Sequence, residues 1–169
     1  GITNSTVNYF WVADLQNTKL SDNQPIKIVF NNLERSDSKK VKKGKWSFEF
    51  TTSIEKLMEN TSSIPIDKHF TLEDGQEVKV DELILTPVST KLNYKMENVT
   101  SDLSFRLEDQ NGVELQHFSS LTMGSSNYNR FVALESHVTK LKVIPYIDFH
   151  DVDKNDKVLY DEIFEIDVK

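Results

Sequence analysis

A chain of 169 residues with 37% hydrophobic and 10% aromatic residues can bury the core of one generous domain, or of a small domain carrying an appendage. Its net charge of −7 at pH 7 removes the main electrostatic source of nucleic-acid affinity, so no nucleic-acid partner is expected. The absence of cysteine excludes disulfides, thiolate catalysis and cysteine-ligated metals, and no run of about 18 apolar residues is present to span a bilayer.

Residues 7–13 (VNYFWVA) read as a dense apolar strand, followed by a polar loop through Asp22. Pro25 opens a second strand with Ile26, Ile28 and Phe30 on one face. Residues 34–45 form a charged connection holding Lys39, Lys40, Lys42, Lys43 and Lys45. Such a cluster can attract anionic polymers or lipid head groups, but a solvated connection is the preferred reading. Trp46, Phe48 and Phe50 then alternate with Ser47, Glu49 and Thr51 as a half-buried strand. Over 53–60 a short helical turn is expected, with Thr52 and Glu55 in capping-box spacing.

Short strands follow over 64–72, 76–80, 82–86, 91–96, 103–108, 113–118, 128–134, 138–149 and 157–168, the last two long enough to bend across two sheets. Ile64, Ile66, Phe70 and Leu72 share one parity before Asp74-Gly75; Leu103, Phe105 and Leu107 do the same before Asn111-Gly112. Both dipeptides tolerate positive φ, so primed hairpin turns are expected at each. Pro87 and Pro145 belong at edges, bulges or strand ends, because neither can donate to a ladder. Strands at this spacing indicate a β-sandwich or barrel. The composition shift around 52–63 divides the chain into 1–52, the tail of a preceding β domain, and 53–169, a complete sandwich.

The sharpest chemical motif starts at Asp151. Asp151, Asp153, Asn155 and Glu162 match positions 1, 3, 5 and 12 of an EF-hand calcium loop, whose oxygens wrap a hard cation. Position 6 is Asp156 instead of glycine, and both flanks alternate as strands where an EF-hand needs helices. A solvated acidic connection is therefore the preferred reading, with a weak calcium site as its competitor; no other cofactor is expected. His69, His117, His137 and His150 show no metal-ligand spacing, and His117 reads as a partly buried strand histidine. Met123-Gly124-Ser125-Ser126 lacks the flanking glycines of a nucleophile elbow and reads as a loop. No catalytic residues stand out, and no enzymatic activity is expected.

From Trp46 onward the chain resembles a known family. The residues that carry the likeness are Gly44-Lys45-Trp46-Ser47-Phe48-Glu49-Phe50, then Phe70-Thr71-Leu72-Glu73-Asp74-Gly75, then Val80 to Thr90, followed by Leu92, Tyr94 and the Phe105-to-Gly112 hairpin. These are similar to the outer region of single-pass membrane proteins of Firmicutes, a family of unknown function likened to anti-sigma factors. The resemblance implies an all-β fold, an immunoglobulin-like β-sandwich with additional N-terminal β-strands. It covers most of 44–169, leaving 1–43 to the preceding domain, and brings no catalytic residues. It implies a non-enzymatic module on the extracellular side of a bacterial cell membrane, sensing or binding a protein or cell-envelope ligand for a signalling partner. The anchor is expected upstream of Gly1, with the sigma-factor-binding segment beyond it. A cell-surface adhesin or carbohydrate-binding module is the alternative, and exposed aromatics on one sheet face would favour it.

Overall fold

The computed structural model describes residues 23, 25–34, 41–51, 54–97, 102–123, 125–149 and 156–169. The strand expected over 7–13 and the capping Thr52 lie outside them. The chain divides into two units, Gly1–Glu55 and Lys56–Lys169. A short helix, Ile54–Glu59, spans the division.

In the first unit, β1 (Pro25–Glu34) and β2 (Val41–Thr51) form an antiparallel ribbon. Ile26 pairs with Phe50, Ile28 with Phe48 and Phe30 with Trp46, so alternation on both strands collects six apolar side chains on one face. The opposite face pairs Lys27 with Glu49, joined by an ion pair, and Asn31 with Lys45. The expected connection over 34–45 is thus shorter. β2 begins at Val41, and Lys42, Lys43 and Lys45 lie on the strand, where long cationic side chains are readily solvated. Lys39 and Lys40 lie outside the described residues. Gly44 is required by its neighbour: a Cβ there would stand 2.6 Å from Cη2 of the Trp46 indole, which folds back over the strand. Trp46 is half-buried, but Phe48 and Phe50 are exposed, which departs from the half-buried strand expected.

The second unit is a sandwich. One sheet holds β3 (Ser62–Thr71), β4 (Glu77–Leu85), β5 (Thr90–Met96), β8 (Ser126–Phe131) and β7 (His117–Met123), in that spatial order. In the other, β9 (Lys140–Ile147) is flanked by β6 (Leu103–Asp109) on one side and by β10 (Lys157–Val158) and β11 (Phe164–Asp167) on the other. The order β4-β5-β8-β7 against β6-β9-β10/β11 is the ABED/CFG arrangement of a constant-type immunoglobulin domain, with β3 added beyond strand A. Leu83, Leu92, Tyr94 and Phe131 from one sheet meet Phe105, Leu107, Leu141 and Val143 from the other in one buried core.

Residues 76–80 and 82–86 read as two strands but form the single strand β4. Val80 pairs with Tyr94 and Glu82 with Asn93, so Asp81 is an extra residue opposed by nothing on β5. This bulge switches the parity, and Val78 and Val80 before it and Leu83 after it all face the core. On the other side, Ile66 and Asp67 of β3 occupy the matching irregularity, with Asp67 at φ 53°.

Both glycine turns form, but neither is primed. At the first, Gly75 N–H donates to Leu72 O at 2.9 Å and Leu72 N–H to Gln76 O at 2.8 Å. Gly75 has φ +84° while Asp74 stays at negative φ, which is a type I turn closed by a G1 bulge. Gly112 repeats the geometry, with φ +78° and its N–H on Asp109 O at 2.9 Å. The strand expected over 113–118 does not form: Glu114 makes one bridge to Glu108, and the chain then leaves for the other sheet as β7. Met123 pairs with Ser126 where β7 turns into β8.

Neither long C-terminal strand bends across two sheets. β9 stays in one sheet, and the segment expected over 157–168 is broken by the 3-10 helix Tyr160–Glu162. Pro145 sits inside the central strand β9, away from an edge or strand end. Its carbonyl accepts from Leu159 N–H at 3.0 Å, so its missing donor faces the place where β10 gives way to the 3-10 helix. The partner strand breaks where the proline could not have paired with it.

Candidate functional site

Titratable and hydrogen-bonding side chains converge at one end of the sandwich, where the turn after β6 meets the loop between β8 and β9. Asp109, the last residue of β6, is buried and organises the turn. Its Oδ1 accepts from the N–H groups of Asn111 at 2.8 Å and Val113 at 2.9 Å, and its Oδ2 from Asn111 Nδ2 at 3.2 Å. The Val113 N–H, followed by the Asn111 donors, holds the Asp109 carboxyl below its usual range against the opposing effect of burial. Gln110 ties the turn to the opposite loop: its Nε2 donates to His137 O, and its Oε1 accepts from Thr139 N–H, both at 3.2 Å. His137 lies between two carboxylates, with Nδ1 3.3 Å from Glu135 Oε2 and Nε2 3.9 Å from Asp109 Oδ2.

A groove of about 360 Å³ opens between these loops, with Val113, Leu115, Val132 and Val138 along its walls and Asp109, Glu135 and His137 at its rim. A second groove, about 320 Å³, runs along the far side of residues 134–138 against Thr86, Pro87 and Val168. Both lie at the lower end of the volume range of small-ligand pockets. The polar groups can orient a ligand, but Asp109 and Gln110 are already committed to holding the loops.

Of the calcium-loop residues, Asp151, Asp153 and Asn155 lie outside the described residues, as does His150. Glu162 belongs to the 3-10 helix, and its carboxylate pairs with Lys68 Nζ at 3.0 Å. Asp156 pairs with Arg106, whose guanidinium also lies 4.5 Å from the centroid of the Tyr146 ring. Among the described residues, no group of three or more histidine and carboxylate side chains is placed to hold a metal ion, and no helix is long and apolar enough to cross a membrane.

His117 opens β7 at the exposed rim, with its ring edge-on to Phe131 at 5.4 Å and Nε2 3.4 Å from Asn129 Nδ2. Partial burial lowers its pKa. His69 is exposed and lies 3.3 Å from Asp67 Oδ1. The same Asp67 oxygen meets Lys79 Nζ at 2.8 Å, while Asp81 Oδ2 meets Lys95 Nζ at 2.8 Å, giving a solvated charge ladder across β3, β4 and β5. Asp109 and His137 were not marked by spacing. The signal available for Asp109 was Asp-x-Asn-Gly, in which the aspartate caps the turn that follows.

A solved structure described as the crystal structure of the conserved domain protein from Bacillus anthracis aligns with 91% of this chain at a TM-score of 0.56 and 18% identity. That likeness is one of fold, and the chain accounts for 64% of that protein's length. No curated protein matches the chain. The model of a family of unknown function, DUF5643, matches residues 61–168, which is nearly the whole second unit. The chain belongs to this family of unknown function.

Proposed function

We propose that this chain is a non-enzymatic sensing or binding module on the outer side of a bacterial cell membrane, part of a membrane-anchored protein similar to anti-sigma factors. The observation that carries the binding reading is the groove beside His137. It combines an apolar wall with a carboxylate and imidazole rim, in which the Asp109 carboxylate is fixed by main-chain N–H groups and the His137 carbonyl by the Gln110 side chain. Such a groove suits a partly apolar protein or cell-envelope ligand with hydroxyl or cationic groups at its margin. Fractionation of the full-length protein tests the location: membrane association with cleavage by protease added outside is expected, and a cytosolic protein ends the reading. Binding to envelope fractions should be lost in Val113→Asp and kept in Val88→Asp.

A surface adhesin or carbohydrate-binding module is the second reading, favoured by Phe48 and Phe50, which are 57% and 49% exposed on one face of the β1–β2 ribbon. Aromatic rings in such a row can stack on sugars. Glycan binding that disappears in Phe48→Ala would select this reading over the first.

A further inference from the structure

We infer that β7 is a docking edge for a second copy of this chain, paired antiparallel about a twofold axis at Ser120. Edge strands present unpaired main-chain groups, and proteins normally blunt them. The other edges of this sandwich are blunted. β3 carries Pro65 and the bulge at Asp67. β6 is partly covered by the returning chain, with Leu115 N–H on Leu107 O at 2.8 Å. The far edge of the second sheet is broken by the 3-10 helix and charged at Glu165 and Asp167.

β7 has neither proline nor charge, and its register irregularity lies only at the start, between His117 and Ser119. Among the described strands it pairs with β8 alone, leaving every second residue's N–H and C=O turned outward.

Charge selects the occupant. Two copies of a chain carrying −7 repel each other over most of their surfaces. The 15 residues from Leu115 to Asn129 contain no Asp, Glu, Lys or Arg, and this is the longest such run in the sequence. β7 lies inside it, so two copies can meet there without placing like charges opposite one another. Antiparallel pairing is self-complementary, as a twofold interface requires. Ser120 is the middle residue of the seven in β7, and the small side chains of Ser119 and Ser120 admit close approach. Pairing would join the two five-stranded sheets into one.

Sedimentation equilibrium of the 169-residue chain tests this. A strand-pair interface is small, so the average mass should rise toward that of two chains with a Kd between about 10 µM and 1 mM. Leu121→Lys should weaken association at least about tenfold, the effect of roughly 1.4 kcal/mol, with an unchanged circular-dichroism spectrum. Because the chain has no cysteine, Ser120→Cys supplies a single thiol that should cross-link two copies on mild oxidation, whereas Val88→Cys should not. The cross-link keeps the test valid if Leu121→Lys fails to fold. Single-chain mass at every concentration overturns the inference, as does a dimer indifferent to Leu121→Lys whose Ser120→Cys form does not cross-link. Slow exchange of the outward β7 amides in a strictly single chain would assign the edge to another segment of the same molecule, and would equally overturn it.

Discussion

The phenolic hydroxyl of Tyr94 donates to the main-chain carbonyl of Leu103 at 3.1 Å, tying β5 in one sheet to the start of β6 in the other. The Tyr94 ring packs edge-on against Phe105 with centroids 4.9 Å apart. Tyr94→Phe keeps the ring and leaves the carbonyl without this donor, so it should cost about 1–3 kcal/mol. Urea titration should show a lower midpoint with an unchanged slope. Burial raises the Tyr94 pKa above 10.0, so its contribution is present below that pH and is lost as pH rises through the folded value. The Tyr94→Phe variant should lack this alkaline loss.

His117 gives the opposite dependence. Its pKa falls below 6.5 in the folded chain because partial burial disfavours the charged ring. The unfolded state therefore binds more protons between the folded value and 6.5, and stability should fall as pH drops through that window. Thermal melting on either side of it should show the loss in the wild type and in His69→Gln, but not in His117→Gln.

Asp109→Asn removes the charged acceptor from the turn N–H groups of Asn111 and Val113. The melting temperature should fall, and amide exchange should quicken at those two residues before it does at Leu107. The folded pKa of Asp109 lies below 3.8, so its stabilising effect is present above 3.8 and disappears as pH falls through the folded value. The variant should lack that acid-side component.

Calcium should have little effect. Glu162, the twelfth-position ligand of the loop pattern, is engaged by Lys68. Melting in about 1 mM calcium, the range of weak extracellular sites, should match melting in chelator. A rise that Asp151→Ala/Asp153→Ala abolishes would assign a calcium site to the loop.

Local rules were legible in the sequence where neighbouring residues decide the structure. Asp74-Gly75 and Asn111-Gly112 mark hairpins because each glycine supplies the positive φ within its own turn. The alternation over 103–108 identified β6 for the same reason. β7 was missed because an edge strand reading HFSSLTM has too few apolar residues to show a clear period. The site was legible only in pieces. Asp109 meets the loop containing His137 because β6 pairs with β9, placing Asp109 opposite Leu141, and no sequence spacing reports that long-range pairing.

The extra residue at Asp81 acts on β4 as a frameshift acts on a message. Every side chain after it is read on the opposite face from the one that simple alternation from Val78 would assign. Flattening the bulge with every residue kept would turn Leu83 toward water and bring Glu82 and Ile84 onto the core side, whereas deleting Asp81 would leave Val80 and Leu83 facing the core along an unbulged strand. A one-residue gap at Asp81 should therefore be tolerated better than one extra residue inserted between Glu82 and Leu83, which would turn Leu83 outward. What the chain must keep is the phase of the strand on either side of position 81, and the bulged residue is the one whose loss leaves that phase intact.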